Sequence, residues 1–179
     1  HKSAVMSKRS ILVIPDPVFR KVAAPVGAVD DGVRALIDDM QETMYAAPGI
    51  GLAAPQIGVL DRVVVLDVSG DDEEKAPMAL VNPEIVWSSE ETSIHNEGCL
   101  SIPEYYEEVE RPAEVGVRFL DRDGAEHEIR ADGILATCIQ HEIDHLNGVL
   151  FIDYLSRLKR DRVTKKFAKQ ARLAATEKA

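Results

Sequence analysis

The segment QHEIDHLNG, residues 140–148, holds His141, Glu142 and His145 in the pattern His-Glu-x-x-His. On a helix, side chains four apart stand on one face, so the two imidazoles can bind a single metal ion. Glu142 sits one step round the same turn, near enough to a metal-bound water to accept its proton. The plain alternative is a pair of surface histidines beside a solvated glutamate. The chemistry that suits the pattern is metal-assisted hydrolysis.

A hydrolytic metal site needs a third protein ligand and one open position. No histidine follows His145, and the only later carboxylates are Asp153, Asp161 and Glu177. Upstream, EGCLS places Cys99 between strand-like segments, next to a glycine that lets backbone approach closely. A thiolate is a strong ligand for a divalent metal. A cysteine alone is more often a small buried hydrophobe, but beside this helix Cys99 becomes the third ligand. Cys138 has the wrong spacing to share the histidines' metal and reads as a wall or core residue. No fourth protein ligand lies near these motifs, which argues against a closed structural site in a binding module.

Three segments, GIGLAAPQIG (49–58), EGCLS (97–101) and QHEIDH (140–145), occur in the order and spacing of peptide deformylases, which this chain resembles. The similarity extends from ILVIPDP through DRDG and ADG to LFIDYLSRLKR. It implies removal of the N-formyl group from formylmethionyl nascent chains, with release of formate. It implies Fe(II) as the native metal, with Zn(II), Ni(II) or Co(II) able to substitute, and Cys99, His141, His145 and water around it. By the same resemblance, the Gln56 side-chain amide and the Leu100 backbone N–H stabilise the oxyanion. The chain departs from the commonest wording at Pro55, which cannot donate a backbone hydrogen bond. A zinc metallopeptidase built on the same helix is the alternative enzyme.

Helical geometry also suggests a specificity pocket. Ile134, Thr137 and Cys138 lie seven, four and seven residues before His141, His141 and His145 respectively, on the ligand face. Ile50, with Gly51 beside it, and Ile94 are expected as opposing walls. Such a hollow suits an unbranched, polarizable methionine side chain. Ligating groups need partners that orient them, and Glu97, Arg111 and Asp144 are the candidates.

The elements that must position these residues are read as follows. ILVIPDPVFRKVAAPV, with three prolines, is an extended covering segment. Val33, Leu36, Ile37, Met40 and Met44 recur at helical spacing from a cap at Asp30 or Asp31 to about Ala47. GIGLAAPQIG is a buried irregular segment. RVVVLDV, ALVNPEIVW, ETSIHNEGCLSIP, VGVRFLD and AEHEIRAD are strands, with Pro83 at an edge or bulge and the last two joined as a hairpin by DRDG. GDDEEKAP is an exposed acidic turn. Asp132 caps the motif helix, Gly148 ends it, and a last helix runs from about Ser156 to Ala174. The expected fold is one α+β domain: short antiparallel strands packed around a central His-Glu-x-x-His helix, with a C-terminal helix.

The 179 residues, 45% hydrophobic, suffice for one core. Residues 1–5 are read as a cloning scar, 6–155 as the catalytic domain, and 156–179 as a basic helix packed on or extending from it. The start has no apolar secretion signal, no run of ~20 apolar residues could span a bilayer, and only Cys99 and Cys138 are present. A cytoplasmic protein is expected, with neither membrane nor DNA as partner. From Ser156 onward nine basic face two acidic residues, +7, leaving -17 for the rest of a chain whose net charge is -10. That asymmetry suggests a tail that meets a polyanion, and residues 156–174 could bring the enzyme to the ribosome near the tunnel exit. A solvated helix is the simpler reading.

Overall fold

The computed structural model describes residues 7–178, so the segment 1–5 read as a scar lies outside the described residues. Helix α1 spans Asp31–Ala46, started by Asp30, whose carboxylate accepts the Val33 N–H at 2.9 Å. Strands β1 (Gly51–Ala53), β2 (Val63–Leu66), β3 (Met78–Ser88), β6 (Glu114–Leu120) and β7 (Glu126–Asp132) form an antiparallel sheet in the order β1-β2-β3-β6-β7. Strands β4 (Thr92–Cys99) and β5 (Ile102–Pro112) form a separate two-stranded ribbon. Helix α2 is Gly133–Leu146 and α3 is Arg157–Lys178.

The sheet is covered on both faces, which is why β2 is wholly apolar instead of alternating. Val64 and Leu66 pack with Leu80, Val115 and Val117 against Ala136, Ile139, Ile143 and Leu146 of α2. Val63 and Val65 turn the other way, with Leu52 and Val81, onto Leu36, Ile37, Met40 and Met44 of α1. Ile37, Met40 and Met44 are fully buried, each worth about 1.5–3 kcal/mol of transfer free energy. One face of the sheet thus presses on α2 and the other on α1, which leaves ten residues of the motif helix buried.

A third apolar cluster lies under the ribbon and joins Ile14, Val18, Phe19, Ile102, Val109 and Leu150–Ile152 to Val163 and Phe167 of α3. Val163 and Phe167, one helical turn apart, dock the start of α3. Leu158, also apolar, does not join them and is 69% exposed. It lies five residues before Val163, well off the 3.6-residue repeat, on another flank. Beyond Phe167 the helix runs further than expected, to Lys178, with Lys169–Glu177 exposed.

Three local expectations need correcting. The extended N-terminal segment contains a single 3-10 turn, Pro17–Arg20, with Asp16 accepting the Val18 N–H. GIGLAAPQIG is not irregular throughout: Gly51–Ala53 pairs with β2, and a 3-10 turn, Ala54–Ile57, follows. The segment EYYEEVERP, hidden by its glutamates, forms most of β5. Tyr105, Glu107, Val109 and Arg111 face in while the residues between them face water. Pro83 falls in a bulge, where the β3–β6 register shifts between Val81 and Glu84. DRDG closes the β6–β7 hairpin with Gly124 at φ +84°. Helix α2 begins after Asp132 as expected, although that side chain makes no capping bond. Gly148, at φ +74°, follows the α2 C-cap.

Candidate metal centre

Helix α2 and the end of β4 bring Cys99, His141 and His145 together, their donor atoms all within 4.8 Å of one another. Cys99 Sγ and His145 Nε2 are 3.3 Å apart. Tetrahedral sulfur and nitrogen ligands at ~2.3 and ~2.1 Å from a metal would stand roughly 3.6 Å apart. The donor set therefore fits a divalent transition metal in both spacing and softness. Both imidazoles are buried, and Phe151 stacks on His141 at 5.8 Å between ring centres.

The histidines are held from behind. His141 Nδ1–H donates to Glu97 Oε1 at 3.0 Å, which turns Nε2 toward the thiol. Glu97, two residues before Cys99 and on the same face of β4, takes a bidentate pair from Arg111 of β5 at 2.6 and 2.9 Å. Arg111 also donates to Asp144 at 2.9 Å, and Tyr154 O–H donates to the same carboxylate at 2.8 Å. All three expected orienting residues thus join one chain of contacts, with Tyr154 as an unforeseen member. Burial alone would raise Glu97 and lower Arg111. Hydrogen bonds from His141 and Arg111 outweigh this for Glu97, as those to Glu97 and Asp144 do for Arg111, so both stay charged.

Burial pushes the Glu142 carboxyl up to about 7, and its Oε1 has no partner among the described residues. Burial likewise drives His145 well down, which favours the neutral ring that a metal requires. His141 is also depressed by burial, but hydrogen bonds to Cys99 and Glu97 raise it overall.

Gln56 is 1% exposed. Its Oε1 accepts the Ala53 N–H at 2.9 Å, which fixes the amide so that Nε2 faces Ser101 Oγ at 3.0 Å and Cys99 Sγ at 3.6 Å. Pro55 is the second residue of the 3-10 turn, within the first turn where the backbone N–H has no partner in the helix, so its missing N–H is harmless. Leu100 occupies the turn between β4 and β5 and packs over Gly49, where a Cβ would come within 2.6 Å of its side chain.

A cleft of about 510 Å³ opens onto these groups. Ile50, Gly51, Ile134, Thr137 and Cys138 line it. Cys138 Sγ lies 3.7 Å from the Ile50 carbonyl, and burial pushes its thiol well up. Ile94 does not line the cleft; it is 59% exposed on the far face of β4. Strand parity explains the correction: with Glu97 and Cys99 facing in, position 95 must face in and 94 out. His95 lines the cleft in its place, and that alternation was the signal that could have found it. Ser101 carried no such signal, because only the fold sets it beside Gln56.

Comparison with known proteins agrees with this geometry. A model of the polypeptide deformylase family matches residues 8–161. The chain is 65% identical over 175 residues to the peptide deformylase of Methylocella silvestris, covering 96% of this chain and 89% of that protein. Among solved structures, it is similar to peptide deformylase from Ehrlichia chaffeensis in complex with actinonin. The identity is 44% and the TM-score 0.87, over 92% of this chain and 98% of that one. It is also similar to a peptide deformylase from Legionella pneumophila, at 50% identity and TM-score 0.85, over 94% and 98%.

Proposed function

The chain belongs to the polypeptide deformylase family, and on that premise we propose how its residues remove the formyl group from N-formylmethionyl peptides. The observation that carries the reading is the convergence of Cys99, His141 and His145 within 4.8 Å beside a buried Glu142 whose Oε1 has no partner among the described residues. Cys99, His141 and His145 hold the metal, and bound there it supplies Lewis-acid polarisation of the formyl carbonyl and a lowered pKa for water.

Glu142 does the proton work. Its carboxyl, near 7, is poised to take a proton from the attacking water and return it to the departing amine nitrogen. The water oxygen adds to the formyl carbon, the C–N bond breaks, and formate and a free N-terminus result. Gln56 Nε2 gives one N–H to Ser101 Oγ and directs the other toward Cys99 Sγ, beside the metal position, where with the Leu100 backbone N–H it can stabilise the developing oxyanion. Glu97, Arg111 and Asp144 keep the two imidazoles aimed. Ile50, Gly51, Ile134, Thr137 and Cys138 receive the methionine side chain. A zinc metallopeptidase is not favoured, since the chain's third donor is an upstream thiol and its relatives are deformylases.

The finer reading concerns metal, place and partner. Fe(II) suits a thiolate–imidazole set as well as Zn(II), Ni(II) or Co(II) do, and we take iron as native because the substrate class is the family's. No helix among the described residues is long and apolar enough to cross a membrane. Residues 6–155 form the catalytic unit of a cytoplasmic enzyme, and the +7 tail from Ser156 is its ribosome-facing element. The test is anaerobic formate release from formyl-Met-Ala-Ser by enzyme loaded separately with each metal, with bound metal quantified. Fastest release with Fe(II), decaying in air and protected by Ni(II) or Co(II), is expected. Hydrolysis of internal peptide bonds without formate release would refute the reading.

A further inference from the structure

The cleft wall carries a side-chain pair that neither metal binding nor proton transfer uses. His95 Nδ1 on β4 lies 2.9 Å from Thr137 Oγ1 on α2. Both side chains line the cleft that contains Cys99, His141 and Glu142, and Thr137 is buried. Thr43, Thr164 and Thr176 each donate their hydroxyl proton to the carbonyl four residues back. Thr137 makes no such bond; among the described residues its hydroxyl pairs with His95. A hydroxyl has a single proton, and among the described residues the acceptor within reach of it is the ring nitrogen. With Thr137 donating to Nδ1, a neutral ring carries its proton on Nε2. Nε2 has no partner among the described residues.

In that tautomer an N–H donor stands in a cleft that the apolar side chains of Ile50 and Ile134 and the thiol of Cys138 also line. An aliphatic side chain entering the cleft would bury apolar area but offer nothing to that donor. A thioether sulfur is a weak acceptor on a flexible, polarizable chain. We propose that His95 is a specificity-determining residue, its Nε2–H, set by Thr137, donating to the sulfur of the substrate's N-terminal methionine. This rests on the reading that the cleft binds formylmethionyl peptides. It goes further in making discrimination against isosteric aliphatic side chains a property of the His95–Thr137 pair.

The experiment compares kcat/KM for formyl-Met-Ala-Ser and formyl-norleucyl-Ala-Ser, norleucine replacing the sulfur by a methylene. With metal-loaded enzyme, the wild type should favour methionine by about three- to tenfold, the worth of one modest hydrogen bond. His95→Leu should bring the ratio to about one, His95→Gln, which keeps an N–H, should restore part of it, and Thr137→Val should fall between. Nitrogen-15 NMR of the wild type should show His95 protonated on Nε2, an observation that does not depend on the variants folding. A ratio unchanged in His95→Leu, equal losses for both substrates, no wild-type preference, or a ring protonated on Nδ1 would each overturn the proposal while leaving deformylation intact. Failure of the wild type to release formate from either peptide would overturn both.

Discussion

Gly51 offers a sharp test of how closely the base is held. It opens β1, and its backbone is not in the left-handed region, so alanine is conformationally acceptable there. The added Cβ would nevertheless lie 2.5 Å from Glu142 Oε2 and 2.9 Å from Cys138 Sγ. To reach ordinary contact at 3.4 Å, the carboxylate oxygen must retreat by about 0.9 Å. Glu142 is only 4% exposed, so that retreat has little free volume to use. A displacement near 1 Å at a reacting group costs roughly 100-fold in rate, or about 2.7 kcal/mol of transition-state stabilisation. The three atoms nearest the new methyl belong to Glu142 and Cys138 and not to the proposed ligands, so metal content should hold. The assay is kcat/KM for formyl-Met-Ala-Ser, with bound metal and thermal midpoint measured on the same sample. Wild-type turnover in fully metallated Gly51→Ala would show that the position of Glu142 does not limit the reaction. Loss of metal would show that the alanine disturbs the ligands, refuting the argument from the base.

Cys99→Ser should lose most metal and activity while keeping its circular dichroism, whereas Cys138→Ser should keep its metal by elemental analysis; a metallated, active Cys99→Ser would remove the thiolate from the site. Glu142→Ala should retain near-stoichiometric metal yet fall ~100–10,000-fold in rate, and metal loss instead would make Glu142 a ligand. Asp67 is raised by burial, but hydrogen bonds from Ser69, Tyr45 and Ala76 hold it down at about 2. Because its folded pKa is depressed from 3.8, the stability it contributes is present above about pH 4 and is lost as pH falls toward 2. Thermal midpoints between pH 2 and 5 should therefore drop less steeply in Asp67→Asn. Lys165, Lys169 and Arg172 are exposed and lie away from the docked Val163 and Phe167. Reversing all three to glutamate should weaken low-salt co-sedimentation with ribosomes and flatten its salt dependence, with small-peptide hydrolysis nearly unchanged. Equal sedimentation would leave α3 a solvated face.

The candidate metal site was legible in the sequence because much of it rests on local spacing. His141 and His145 share a face by helical periodicity alone, and Glu142 follows from adjacency. Cys99 emerged because no downstream residue could complete the ligand set. Apolar periodicity was likewise enough for α1, and the DRDG turn for the β6–β7 hairpin. What depended on contacts between distant segments was not legible. Strand β5 hid behind its glutamates because its inward face is set by pairing with β4, not by composition. Ile94 was misplaced by one residue, and in a strand one residue is the difference between cleft and solvent. Tyr154, Ser101 and His95 meet Asp144, Gln56 and Thr137 only through packing of separate elements. Parity read from Cys99 could have recovered His95, but its pairing with Thr137 could not have been read from the chain. Spacing along one element names the groups that do chemistry, while the packing of elements decides which neighbours orient them and what the substrate touches.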